Sequence, residues 1–478
     1  MSLPELSNNP DRIGSHSGMT MSRAAPHSDA DILHLTRFLT DSVGGSVDVW
    51  KAHGDFAVFA NGGRPVVFVS GAAHARTVFA HPDALHLSFG LTGPRKSDQR
   101  AFTRGVFGIN GPHHQFVRKL MLPSFRKPVV EGHHDRIAEC VREVIGTWRA
   151  GQTRDLYREM KSLSLLMTDR LLFGGGDLDL SRRVDEAFDT WLGLHHRTSF
   201  AALLPVESPP DAYDRLLDAA SDLGALLRQL IASCRRNAAG SDLVVARLLA
   251  AADAGELTEP DVLGLVHSLF NAAHHTVTSA LTWTLFLLAQ HPEVNADLLD
   301  ELSGPAVPNR ATLVDRVIKE SMRVLPPPVY VCRHATQPVS FGGTGVPAGT
   351  VVVLGLYVTH HTPSSFASPE RFDPARWLAT APCPHSNVPF GGGARMCLGA
   401  PLATQFLETA LSLIVPRFRL TVVPDSHIDR RATLTLRPAA GIPVLIRDQD
   451  RRFSTSPVTG TIHEMVNLPT ATAGAAAA

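Results

Sequence analysis

The stretch Phe390-Gly-Gly-Gly-Ala-Arg-Met-Cys-Leu-Gly399, running on into Ala400-Pro-Leu-Ala-Thr-Gln-Phe-Leu-Glu-Thr-Ala410, sets the terms on which the rest of the chain is read. Gly391–Gly393 permit a tight turn and a close approach of backbone to a flat group. Cys397 stands just before an apolar-patterned helix, where unpaired amides and the helix dipole favour a thiolate. Gly399 leaves room for a large planar ring beside the sulfur, and Arg395 can pair with an anion at the ring's edge. A lone cysteine at a helix start can equally be an ordinary buried thiol. These residues alone leave both readings open.

Composition narrows the setting. Of 478 residues, 44% are apolar and only 19% charged, enough for a large packed core and unlike a disordered chain. Lys+Arg and Asp+Glu balance at 45 each, so the net charge argues for no nucleic-acid or anionic-membrane partner. Cysteines 140, 234, 332, 383 and 397 are widely spaced, without a Cys-x-x-Cys pair, which fits a reducing compartment rather than a disulfide framework. No signal peptide or membrane anchor is expected. The N-terminal residues lack a basic segment followed by an apolar run, and stretches such as Leu281–Ala289 are too short to span a bilayer. The expectation is a cytoplasmic protein and a monomer.

Residues 1–28 and 451–478 have the polar or low-complexity composition of disordered ends, leaving 29–450 as one large catalytic domain. Strand-like runs at Phe56–Ala60 and Pro65–Val69 flank the turn Asn61-Gly62-Gly63. Helical spacing follows over Arg136–Ala150, Ser162–Phe173, Val184–His195, Ala212–Arg236 and Ser241–Ala252. A long helix is predicted over Glu259–Gln290, with Thr258 as N-cap and His291-Pro292 as its stop. Strand character returns at Val329–Arg333, Pro338–Phe341 and Thr350–Leu354. The order predicts a mainly α chain with small β-sheets, an α+β fold without regular βαβ alternation.

The pattern Phe-x-x-Gly-x-Arg-x-Cys-x-Gly is matched at every fixed position by Phe390–Gly399, and on it the chain resembles the cytochrome P-450 family. The likeness runs from about Gly54 to Val444. It implies the P-450 fold and haem b, an iron protoporphyrin IX with Cys397 as axial thiolate. Glu320-Ser-Met-Arg323 matches the family's Glu-x-x-Arg, whose i,i+3 spacing puts both side chains on one helical face. Pro369-Glu-Arg-Phe372 supplies Arg371, which the resemblance places with Glu320 and Arg323 in a buried structural triad. His114 and Arg118 match the helix that meets the haem propionates, with Arg333 and Arg395 as further cations.

The sequence departs from the family in the long helix. Where relatives usually carry Ala-Gly-x-(Asp/Glu)-Thr, this chain has Ala272-Ala273-His274-His275-Thr276. The resemblance implies Thr276 as the hydroxyl that helps deliver protons during oxygen activation, with Ala272 and Ala273 leaving space beside it. His275 replaces the usual acid. Either it shuttles protons, having an ordinary imidazole pKa of about 6.5, or it points away and water with Thr276 does that work. His274 is read as a non-catalytic neighbour.

The resemblance therefore implies a monooxygenase of secondary metabolism acting on a medium-sized hydrophobic substrate such as a terpenoid, polyketide or fatty acid. Pocket candidates are Leu87, Phe89, Phe200, Leu203, Leu269, Ala272, Ala273, Val329 and Val331, all of which could also be plain core. No flavin or nicotinamide fingerprint is visible, so electrons are expected from a separate ferredoxin or flavodoxin with its reductase. Arg118, Lys119, Arg126 and Lys127 offer a basic docking patch. Two alternatives remain: a haem-thiolate peroxygenase or isomerase independent of a redox partner, and a non-enzymatic haem-binding sensor or carrier.

Overall fold

The structure, a computed structural model, describes residues 29–61, 64–87, 91, 93–201, 211–237, 240–305, 312–379, 382–433 and 435–469. The helices that bear on the site are α1 (Gly71–Ala80), α2 (Gly111–Met121), α3 (Leu156–Leu172), α4 (Leu178–Ala201), α5 (Ala212–Asn237), α6 (Glu259–Gln290), α7 (Leu313–Val324) and α8 (Ala400–Ile414).

The longest, α6, begins and ends where its sequence signals put it. Thr258 and Asp261 form a reciprocal capping box, and Pro260 lies in the first turn, where its missing N–H costs nothing. The helix is buried over nearly its whole circumference, which is why its apolar residues show little one-sided pattern. It packs against α3, α5, α7 and α8, and α4 and α5 pack against each other. One continuous apolar cluster, including Phe188, Trp191, Phe270, Trp283, Phe286 and Phe406, joins these helices.

Five of the strands form one sheet. It contains β1 (Phe56–Asn61), β2 (Arg64–Val69), β3 (Leu85–His86), β4 (Tyr330–Ala335) and β5 (Val351–Gly355), in the order β1-β2-β5-β4-β3. Only β2 and β5 run parallel, with Val66 opposite Val351. Alternate residues Val67, Val69, Val352 and Leu354 bury one face in a second apolar cluster with Phe79 of α1, while Phe68 and Val353 bury the other against Phe38. The P-450-type arrangement of many helices with small sheets is thus present in one domain.

Some boundaries move. The helix expected over Arg136–Ala150 spans His134–Ile145, and Trp148 beyond it is buried with its indole N–H on Glu159. A larger correction concerns the C-terminal end. Residues 451–469 are not a disordered tail: Val458–Thr459 pairs in parallel with Ser426–His427, and Ile462, Met465 and Val466 are fully buried. Those three apolar side chains in a short polar segment outweigh its composition, because burying each is worth about 2 kcal/mol. Residues 1–28 and 470–478 lie outside the described residues. Among the described residues, no helix is long and apolar enough to cross a membrane.

Candidate functional site

The glycine loop takes the turn its sequence allows. Gly391 and Gly393 have φ of 68° and 62°, the left-handed region that a Cβ disfavours. The loop lies directly on α1: a Cβ on Gly392 would stand 2.9 Å from the Phe79 ring, and one on Gly393 would collide with the Phe79 carbonyl. The loop closes on itself through Cys397 N–H donating to Phe390 O at 2.9 Å. The Cys397 sulfur receives the backbone N–H groups of Gly399 and Ala400 at the start of α8. Burial nonetheless pushes the thiol up, against those amides and the charge of Arg118. The helix start therefore assists a thiolate without outweighing desolvation, and a bound metal cation would complete the deprotonation. The cysteine is accessible although protein surrounds it on most sides, so it faces a hollow.

Cations border that hollow. Arg118, on α2, donates from Nη2 to the carbonyl of Met396 at 2.7 Å, next to the cysteine. Arg395 donates to Val106 O at 3.1 Å, Ile109 O at 2.7 Å and Asn110 Oδ1 at 2.6 Å, tying the loop to the segment before α2. Arg333, buried on β4, donates to Cys332 O at 2.9 Å. Burial pushes Arg333 and Arg395 down to about 10, and Arg333 and Arg118 both repel Arg395. His114 is lowered to about 4 by burial and then by Arg395 and Arg118. Among the described residues, none of His114, Arg118, Arg333 and Arg395 is in an ion pair with a carboxylate. Three guanidinium groups, two of them repelling the third, with a neutral His114 beside one accessible thiol fit a flat group that carries anionic substituents and a thiophilic metal.

The middle of α6 also opens inward. Ala272, Ala273 and Thr276 are partly accessible, whereas Asn271, His274, His275 and Val277 are buried. On a helix packed on all sides, this accessible turn must look into interior space. The Thr276 hydroxyl donates to Ala272 O at 2.7 Å, one turn back. His275 does not share that face. Its ring lies 5.4 Å from Phe188 of α4 and 4.9 Å from His274, and burial drives it down to about 3. The His275 ring is directed away from the accessible turn, toward α4. His274 approaches Asp185 of α4 at 3.1 Å.

The buried triad is rearranged. Arg323 meets Glu320 through Nε at 2.9 Å and Nη2 at 2.8 Å, as the i,i+3 spacing on α7 requires. The second guanidinium on Glu320 belongs to Arg376, at 2.8 Å, not to Arg371. The Arg371 side chain is exposed; only its carbonyl takes part, accepting from Arg323 and Arg376. Arg371 instead bridges through its backbone to Asn467 of the folded-back C-terminal segment. Pro374-Ala-Arg-Trp377 repeats the Pro-x-Arg-aromatic spacing of Pro369-Glu-Arg-Phe372 a few residues later. That duplication was the signal, and Trp377 adds its indole N–H to Glu320 at 3.0 Å.

The pocket candidates divide. Leu269 and Val329 are buried in the main core, and Val331 packs against the sheet cluster. Leu87 is partly buried, its N–H on Asn110 Oδ1 at 3.1 Å. Phe89, Leu203 and the side chain of Phe200 lie outside the described residues.

Comparison with known proteins agrees with this geometry. The family model described as Cytochrome P450 matches residues 44–443. Cyclooctat-9-en-7-ol 5-monooxygenase of Streptomyces melanosporofaciens is 31% identical over 337 residues, covering 66% of this chain and 73% of that protein. Cyclooctatin synthase of the same organism is 28% identical, covering 82% of this chain and 89% of that protein. The retinoic acid bound cyanobacterial CYP120A1 superposes with a TM-score of 0.73 at 22% identity, covering 86% of this chain and 96% of its own. The cytochrome P450DA heme domain does so at 0.74 and 20%, covering 87% and 95%. These two likenesses speak for the fold. The chain therefore belongs to the cytochrome P450 family, oxidoreductases of the monooxygenase type that hold iron protoporphyrin IX through a cysteine thiolate.

Proposed function

We propose that this protein inserts one oxygen atom of dioxygen into a medium-sized hydrophobic substrate, in a hollow between the Cys397 loop and the Ala272–Thr276 turn of α6. The observation that carries the reading is the accessible Cys397 sulfur flanked by His114, Arg118, Arg333 and Arg395 without acidic partners. Cys397 would ligate the haem iron and His114, Arg118, Arg333 and Arg395 would hold its anionic substituents; the bound group would supply dioxygen activation and oxygen transfer. The chain's own residues do the rest. Ala272 and Ala273 keep the opposite wall shallow, so substrate can lie close. Thr276 presents a hydroxyl that is held by Ala272 O at rest and can turn to direct protons.

The relatives that bear the names of a cyclooctat-9-en-7-ol monooxygenase and a cyclooctatin synthase favour a cyclic terpenoid as substrate, in secondary metabolism. Electrons come from a separate ferredoxin or flavodoxin. Lys119 in the last turn of α2 and Arg126 and Lys127 beyond it are exposed; Lys127, which pairs with Glu131, borders an open surface groove of about 620 Å³ that also takes in Pro401, Thr404, Gln405 and Glu408 of α8. An acidic redox protein held by Lys119, Arg126 and Lys127 would sit beside the start of the helix that follows Cys397. Arg371 has no part in the site, and His275 none by direct contact.

The test is the carbon monoxide difference spectrum of the reduced protein. Wild type is expected to show the red-shifted thiolate band and Cys397→Ser to lose it; an unchanged spectrum in the variant overturns the assignment. Product formation with reduced ferredoxin and dioxygen, measured against peroxide alone, separates the monooxygenase from a peroxygenase.

A further inference from the structure

We propose that Asp185, on α4, supplies the carboxylate that the Ala272–Thr276 turn lacks, at the centre of a chain of ionisable side chains that brings protons to the back of α6. The inference rests on the oxygenase reading above, because that reaction consumes protons. One dioxygen, two electrons from the ferredoxin-class donor, two protons and a substrate C–H bond yield one alcohol and one water.

The chain starts at the surface. Asp189 is 41% exposed and accepts from the Lys161 ammonium of α3 at 2.7 Å. The same ammonium lies 2.9 Å from Oδ2 of Asp185, which is buried. Oδ1 of Asp185 lies 3.1 Å from Nε2 of the fully buried His274. His275 comes next, with a ring nitrogen within 4.8 Å of the nearest such atoms of both Asp185 and His274. His275 is the residue immediately before Thr276.

Two features favour transport over a purely structural ion cluster. First, while Asp185 Oδ1 and His274 Nε2 face each other at 3.1 Å, Nδ1 of His274 and Nε2 of His275 have no hydrogen-bond partner among the described residues, although both are buried. Leaving such atoms unsatisfied costs about 1–3 kcal/mol each, which a structural cluster has no reason to carry. A proton-transfer chain needs donors and acceptors that are not committed elsewhere. Second, the helix that normally carries an acid here carries two imidazoles, and carboxylates face them from the neighbouring helix. His274 and Lys161 hold the Asp185 carboxyl well below the usual range despite its burial, so the acid stays ionised and its fixed charge orients the imidazole that faces it. Lys161 already occupies the second oxygen of Asp185, which disfavours a metal cation on that carboxylate. Tyr157 and Arg437 also lie close enough to bear on the Lys161 end. Asp185 acts through the histidines and is a positioning residue.

The experiment is Asp185→Asn in the haem-loaded protein. Ferredoxin-driven dioxygen consumption is expected to slow about 10-fold or more, with a larger solvent isotope effect in D₂O. Peroxide-driven oxidation of guaiacol is expected to stay near wild type, since peroxide brings its own protons and electron pair. Asp185→Glu should restore the first reaction. Independently of turnover, the acid side of the thermal-unfolding curve should flatten in Asp185→Asn. A carboxyl held low contributes stability at neutral pH that is lost as pH falls through its folded pKa. Equal loss of both reactions means a structural role and overturns the proposal, as do a wild-type rate and isotope effect. If Asp185→Asn does not fold, Asp189→Asn at the exposed end decides: an unchanged isotope effect overturns it. Failure of wild type to show the thiolate band would instead sink the oxygenase reading.

Discussion

Replacing Arg376 by Ala should destabilise this protein severely, whereas the same change at Arg371 should be close to neutral. Glu320 is completely buried and accepts five hydrogen bonds: two from Arg323, one each from Arg376 and Trp377, and one from the backbone N–H of Asp373. Arg376→Ala removes one of the two guanidinium groups that neutralise this carboxylate. Breaking a buried pair costs about 3–5 kcal/mol. Because Arg323 keeps its double contact, the lower end applies, about 3 kcal/mol, or roughly a 100-fold change in the unfolding equilibrium. Arg371 offers only its carbonyl, which every residue has, so Arg371→Ala should change stability by no more than about 0.5 kcal/mol. Urea unfolding of the two purified variants, followed by far-ultraviolet circular dichroism, compares them directly. Equal damage from both, or tolerance of Arg376→Ala, would refute the reasoning.

Other consequences are open to measurement. Gly392→Ala and Gly393→Ala should each cost about 1–3 kcal/mol, since the new methyl meets Phe79; haem content of the purified variants is the readout, and full occupancy of both would contradict the loop geometry. Thr276→Ala should leave carbon monoxide binding intact and divert reductant into hydrogen peroxide; retention of wild-type coupling between reductant and product would remove Thr276 from proton delivery. Acid sensitivity should be steep. Burial lowers His267 and His360 to about 3, so the unfolded chain binds protons there that the folded one does not. Their contribution is fully present above about pH 6.5 and is lost as pH falls toward their folded values, by about 1.4 kcal/mol per group per unit. His267 stacks on Phe102 with ring centroids 4.1 Å apart, so His267→Phe should keep the stack and flatten the acid arm of the unfolding curve; an unaltered arm would refute the assignment.

The elements that could be read without coordinates are those whose causes are local. The cap of Thr258, the proline stop after His291, the i,i+3 pairing of Glu320 with Arg323 and the turn at Gly391–Gly393 each involve residues a few positions apart. The motif around Cys397 belongs with them, because a loop, a sulfur and a helix start are one contiguous segment. Arg376 was legible in principle, since Pro374–Trp377 duplicates the Pro-x-Arg-aromatic spacing, but two equivalent candidates cannot be ranked without knowing which guanidinium reaches the carboxylate.

Three matters belonged to tertiary structure alone. Polarity along the chain said that residues 451–469 lack a core of their own, yet a core built by other segments accepts Ile462 and Met465. The direction of His275 depends on which neighbour α6 presents at each rotation, and a helix surrounded on all sides carries no periodic signal of that. Asp185 lies 89 and 90 positions from the two histidines it faces, in a helix whose pattern records its apolar side and not its partners. The motif's resemblance pointed to the family and to Cys397 as its metal-binding sulfur, and local spacing located the principal helix. Which charges meet in the interior was settled only when the helices packed, because long-range pairing is a property of the packed surfaces and not of either segment.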